Sequence, residues 1–181
     1  MTDPMNVLFV CTANICRSPF MELLSRELTP EGGAVYSSAG TRGFTDAPMC
    51  EEMAAELTER QIAHDGFRSR VLTGDHIEQA DLVLTAETSH RRFILDDQPG
   101  AFRRVFTLGQ FVQALQADDS GDTGHDLLVQ LGERRGLADP SLDVPDPFRR
   151  GPEIAAKCAS TIEGMLRVVV PALTGSRMIA P

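Results

Sequence analysis

A chain of 181 residues can bury a full single-domain core without disulfides or a structural metal, and 42% apolar with 24% charged residues is an ordinary globular composition. The formal charge of −9 opposes non-specific binding to nucleic acid, and no apolar run reaches the roughly 18 to 20 residues a membrane helix needs. Neither nucleic acid nor membrane is therefore expected as a partner, and the stretch Met1 to Asn6, without basic or long apolar character, points to the cytoplasm.

The elements alternate along the chain. Met5 to Val10 is the short apolar run of a strand buried on both faces. After a tight turn, Ser18 and Pro19 are expected to cap and open a helix to about Leu28, with Phe20, Met21, Leu23 and Leu24 on its apolar face. Ala34 to Ser38 reads as a second strand, and Pro48 to Gln61 as a helix with Met49, Met53 and Leu57 one turn apart. Leu82 to Thr85 is a third strand, a helical stretch follows through Phe93 and Ile94, and Arg104 to Thr107 is a fourth strand. Two helical segments, near Gln110 to Gln116 and Asp126 to Arg135, flank a polar turn at 118–124. A loop rich in Pro, Asp and Gly covers 136–152, and a last helix runs from about Glu153 to Leu173. Strands separated by helices imply right-handed crossovers, so the expected fold is a single α/β domain over 1–181. It has a four-stranded parallel sheet with helices on both faces and a phosphate-binding loop after the first strand.

Cysteines stand at 11, 16, 50 and 158. No spacing suits a metal site, so no metal or other cofactor is expected, and a reducing compartment argues against disulfides. Cys50 and Cys158 read as small core residues.

The segment V-C-T-A-N-I-C-R-S-P, residues 10 to 19, carries the chemistry. A bare Cys-x5-Arg match means little in a chain with 16 arginines; its setting between a buried strand and a helix start gives it weight. Backbone N–H groups of such a loop converge beyond the helix N-terminus, where they and the helix dipole favour anions and a thiolate. Arg17 adds a planar fork for two phosphoryl oxygens. Thiolate, anion cradle and arginine clamp are the parts of covalent phosphoryl transfer.

These residues resemble the low-molecular-weight protein tyrosine phosphatases. The likeness continues through S-A-G-T (38–41), R-S-R (68–70), A-D-L-V-L (80–84) and D-V-P-D-P-F (143–148), and leaves out about 109–140. It implies a phosphatase acting on phosphate monoesters, with phosphotyrosine-containing protein as substrate and a monomer or weak dimer as the molecule. Cys11 would be the nucleophile, Arg17 the clamp and Asp146 the general acid, with Thr12, Ala13, Asn14, Ile15, Cys16 and Ser18 forming the phosphate-binding loop. Asn14 and Ser18 would hold the loop, Cys16 would form a reversible disulfide with Cys11 on oxidation, and Phe44 and Phe148 would wall the pocket. Read without the resemblance, the residues leave open whether Asp146 is an acid or part of a D-P-D-P turn and whether the two phenylalanines wall the pocket or belong to the core, while Asp139 and Asp143 are expected to solvate the loop.

Two departures bear on the loop. Ala13 replaces a usual glycine and would be strained at positive φ. Phe67 replaces a histidine that commonly supports the loop. The longer 109–140 segment is expected to add helices near the pocket. Three other readings stay open. An arsenate reductase on the same fold with an internal disulfide relay would need a cysteine in T-A-E-T-S-H (85–90), which has none. In arginine-phosphatase relatives a threonine often stands where this chain has Ile15. A non-catalytic phosphate-binding module would not need Cys11, Arg17 and Asp146 together.

Overall fold

The structure is a computed structural model that describes residues 4–30 and 32–175; residues 1–3, part of the stretch read for an export signal, lie outside it. Strands β1 (Met5–Cys11), β2 (Ala34–Gly40), β3 (Leu82–Thr85) and β4 (Val105–Thr107) form one parallel sheet in the order β2-β1-β3-β4. The chain steps from β1 to one side and returns to the other, which leaves a crevice at the carboxyl ends of β1 and β3, the usual ligand site of open α/β sheets.

Alternation along β1 sorts two cores. Met5, Val7, Phe9 and Cys11 face helices α1 (Arg17–Leu28), α2 (Glu51–Glu59), α5 (Leu108–Gln116), α6 (Gly124–Arg134) and α7 (Pro152–Thr174). Leu8 and Val10 face the smaller core under α3 (Gly74–Glu78), α4 (Thr88–Asp97) and the 3₁₀ turn Pro99–Arg104. Phe9, Phe20, Phe106 and Phe111 are fully buried in the larger core, each stabilising it by about 1.5–3 kcal/mol. No helix among the described residues is long and apolar enough to cross a membrane.

Several boundaries differ from the sequence reading for local reasons. Helix α1 begins at Arg17 with Cys16 at its cap position, so Ser18 is inside the helix and does not cap it. Strand β2 runs two residues past Ser38 because Gly40 pairs with Cys11, where a Cβ would lie 2.7 Å from the Thr12 carbonyl oxygen. Helix α2 starts at Glu51, not Pro48, since the Cys50 N–H is donated outside the helix to Ile15 O at 2.7 Å. Helix α3 has only five residues, too few to show a period. Within 109–140 the two helices form, but α6 packs on the Pro99–Arg104 turn and α7, with Gly132 against the Arg103 backbone. That segment contributes nothing to the cavity at the Cys11 loop.

Candidate active site

Strand β1 delivers Cys11, 2% exposed, to the carboxyl edge of the sheet, and α1 starts six residues later. Between them Asn14 takes φ 55°, a left-handed conformation that asparagine tolerates better than most residues. Ala13 is not among the positive-φ residues, so the strain expected there is absent. Its methyl group instead packs where a Cβ on Gly43 would come within 2.9 Å.

The fully buried Asn14 side chain holds the loop. Its Nδ2 donates to Ser18 Oγ at 2.9 Å and Ser38 Oγ at 2.8 Å, and its Oδ1 accepts from the Arg70 backbone N–H at 2.9 Å. Ser38 in turn donates to Glu22. The network doubted because of Phe67 is therefore built from other residues, and Phe67 packs half-buried against the core. With Asn14 supplying a proton, the Ser18 hydroxyl keeps its own, and its nearest acceptor is Cys11 Sγ at 3.0 Å.

Arg17 is buried to 1% exposure. Its Nη1 donates to Glu87 and to Val144 O at 2.8 Å, and its Nη2 lies 3.3 Å from Asp146 Oδ2. Its Nε is buried without a hydrogen-bond acceptor in the protein. Burial works to lower the Arg17 pKa, but Cys11, Glu87 and Asp146 together raise it, so the guanidinium stays charged. Burial pushes Glu87 up, and the bond and charge of Arg17 outweigh it, holding that carboxyl below its ordinary value.

His90 completes this wall. Its Nδ1 accepts from the Glu87 backbone N–H at 3.2 Å, so Nε2 carries the proton and donates to Thr12 Oγ1 at 2.8 Å. Burial first, then the Arg17 charge, lowers its pKa from 6.5 to about 4. A folded-state value below the unfolded one gives stability that is complete above about 6.5 and is lost as the pH falls toward about 4, about 3 kcal/mol at most. In urea unfolding the wild type should exceed His90→Gln at pH 7, and the two midpoints should converge as the pH is lowered to 4.5. Parallel midpoints would contradict the assignment.

Asp146, 48% exposed at its side chain, accepts from the Phe148 N–H at 3.2 Å through Oδ1 and turns Oδ2 to Arg17. A cavity of about 180 Å³ is lined by Cys11, Thr12, Ala13, Ile15, Cys16, Arg17, Phe44, Asp146 and Phe148. Phe44 and Phe148 are 53% and 37% exposed, so both are wall residues of the opening, not core. A larger cavity of about 690 Å³ lies between α1, β2 and residues 63–70, and none of the four cysteines lines it.

Asp143 does more than solvate its loop. It accepts from the Thr88 backbone N–H and hydroxyl, both at 2.8 Å, and so ties the Asp146 loop to the start of α4. Asp139 is exposed and accepts from the Ser141 N–H at 2.9 Å. Cys158 is buried as expected, whereas Cys50 is only partly buried and contacts Cys16. Sequence reasoning missed Glu87, His90 and Cys50; Ser38 and Arg70 stood inside recognised motifs without assigned roles.

A buried cysteine at a strand end, an arginine fork behind it and a carboxylate opposite thus line one small cavity at the carboxyl edge of a parallel α/β sheet. The family model described as low molecular weight phosphotyrosine protein phosphatase matches residues 6–123, and the chain belongs to that family. A protein-arginine-phosphatase of Geobacillus stearothermophilus is 33% identical over 139 residues, covering 74% of this chain and 89% of that protein. The low molecular weight protein-tyrosine-phosphatase Etp of Escherichia coli K12 is 30% identical over 114 residues, 63% of this chain and 76% of its own. The solved YwlE arginine phosphatase of G. stearothermophilus superposes with a TM-score of 0.76 at 27% identity, covering 95% of this chain and 94% of that one.

Proposed function

We propose that the protein hydrolyses phosphotyrosine on protein substrates through a cysteinyl-phosphate formed on Cys11. The observation that carries the reading is the meeting of Cys11, Arg17 with its unpartnered Nε, and Asp146 in one small cavity. The carbonyls of Cys11, Thr12 and Ile15 are bonded outward to Thr41, Arg42 and Cys50, which leaves the loop's N–H groups for phosphoryl oxygens. With Nη1 tied to Glu87 and Val144, the edge offered to two of those oxygens is Nε, which has no acceptor in the protein, and Nη2, which exchanges its contacts with Asp146 at 3.3 Å and Thr12 Oγ1 at 3.5 Å for them.

The Cys11 thiolate attacks phosphorus as the bond to the tyrosyl oxygen breaks, and protonated Asp146 gives that oxygen its proton. The resulting carboxylate then takes a proton from water. The hydroxide so formed attacks the cysteinyl-phosphate, releasing phosphate and the Cys11 thiolate. The Ser18 hydroxyl, 3.0 Å from the sulfur, stabilises that thiolate as nucleophile and as leaving group. Glu87 and His90 are positioning residues: one fixes the guanidinium plane and the other fixes Thr12.

Substrate choice rests on the apolar lining. Ile15, Phe44 and Phe148 offer carbon surface to a phenyl ring. Relatives of this chain include both tyrosine and arginine phosphatases. Isoleucine at position 15 gives a phosphoarginine guanidinium no acceptor, at a cost of about 1 to 3 kcal/mol, or about five- to 150-fold in specificity. On matched peptides, kcat/KM for phosphotyrosine should exceed that for phosphoarginine and phosphoserine, and Ile15→Thr should shift the balance toward phosphoarginine. A wild-type preference for phosphoarginine would overturn the tyrosine assignment and leave the Cys11 mechanism standing. The stretch 85–90, which an internal-relay arsenate reductase would use for a cysteine, instead supplies Glu87 to Arg17.

A further inference from the structure

Cys50, read from sequence as core filler, sits beside the loop. It stands at the cap position of α2, its backbone N–H is donated to Ile15 O at 2.7 Å, and its side chain interacts with that of Cys16, the cap residue of α1. That backbone hydrogen bond joins the two segments directly before Cys16, so the two cysteines are neighbours across it. We propose that Cys16 and Cys50 form a second disulfide, which drains an oxidising equivalent captured at Cys11 and returns that cysteine to its thiolate. The first step rests on the reading of Cys11 as the reactive nucleophile; the pairing itself does not.

The steps balance. A hydroperoxide transfers an oxygen atom to the Cys11 thiolate, giving a sulfenic acid, and its other oxygen leaves as water or alcohol. Cys16 attacks that sulfur, the S–S bond forms, and the S–O bond breaks with loss of water. The Cys50 thiolate then attacks the Cys16 sulfur, and Cys11 departs as thiolate. The two electrons come from Cys16 and Cys50, and Cys11 ends as it began.

The local electrostatics favour the second exchange, in which Cys50 attacks. The hydrogen bond from Cys16 lowers the Cys50 pKa against the opposing effect of burial, with a further contribution from the Met53 backbone N–H at the start of α2. The same bond, then burial, raises Cys16, which makes Cys50 the attacking member of the pair. Cys158 is out of the sequence of steps. Its thiol is buried, directed to Pro145 O at 3.7 Å and pushed up to about 12 by burial.

Trypsin separates the pair: residues 1–17 hold Cys11 and Cys16, and residues 43–60 hold Cys50. In Cys11→Ser protein exposed to oxidised glutathione, then alkylated and digested without reductant, these two peptides should be recovered joined. In that variant the bond can involve only Cys16. Wild type given a pulse of hydrogen peroxide and then catalase should regain p-nitrophenyl phosphate turnover without reductant. Cys50→Ser, with unchanged basal turnover, should stay inactive until dithiothreitol is added, its disulfide confined to peptide 1–17. Failure of the two peptides to join in Cys11→Ser overturns the pairing, and equal recovery of wild type and Cys50→Ser overturns the relay. A wild type without any phosphatase turnover would instead overturn the nucleophile reading, since the Cys11→Ser arm reports the pair alone.

Discussion

Cys11→Ser should reduce p-nitrophenyl phosphate turnover by about 10⁴-fold or more while inorganic phosphate still binds within about tenfold of wild type. Serine keeps the shape of the side chain, and its hydroxyl can still meet Ser18, which lies 3.0 Å from the sulfur. What it loses is the sulfur nucleophile. Nothing in the cradle depends on sulfur: Asn14 holds the loop through Ser18, Ser38 and Arg70, and Arg17 is fixed by Glu87 and Val144. Steady-state kinetics beside titration calorimetry with phosphate separates the two effects. Residual turnover within tenfold of wild type would mean another nucleophile; loss of phosphate binding together with activity would mean a collapsed loop.

The strand, loop and helix around Cys11 were legible because one short segment encodes them. Strand burial, anion loop and helix start are all local, and the alternation of apolar runs with amphipathic ones gave the parallel sheet. The resemblance places Ser18 in the loop, but the capping role read from its Ser-Pro pair does not hold. The Ser-Pro pair satisfies a general capping rule, yet in this loop the hydroxyl is held by Asn14 and directed to Cys11, and the helix begins two residues earlier, at Arg17 with Cys16 as its cap. Glu87 was invisible in T-A-E-T-S-H because its meaning lies in Arg17, 70 positions away. His90 is opaque in the same way, since only the fold brings it to Thr12. Asp143 and Cys50 were assigned roles from composition, and their real partners, Thr88 and Cys16, come from elements that sequence patterns cannot dock together.

Asp146→Ala should lower kcat for phenyl phosphate by about 10² to 10⁴, the usual range for losing a general acid. The loss should be smaller for the p-nitrophenyl ester, whose leaving group needs no proton. Asp146 is placed for this task by Pro145 and Pro147 on either side and by its own bond to the Phe148 N–H, and its outer oxygen lies 3.3 Å from Arg17 Nη2. The substitution leaves Cys11 and Arg17 in place, so attack on an activated ester continues. Hydrolysis of the cysteinyl-phosphate, which needs Asp146 as base, slows, and the intermediate accumulates. Acid quenching of Asp146→Ala during turnover of p-nitrophenyl phosphate, followed by mass mapping, therefore tests the covalent mechanism most directly. A single phosphoryl group on Cys11 within peptide 1–17, absent from the Cys11→Ser, Asp146→Ala double variant, is the predicted result. Continued turnover with no phosphoryl group on Cys11, or with the group on another residue, would contradict it.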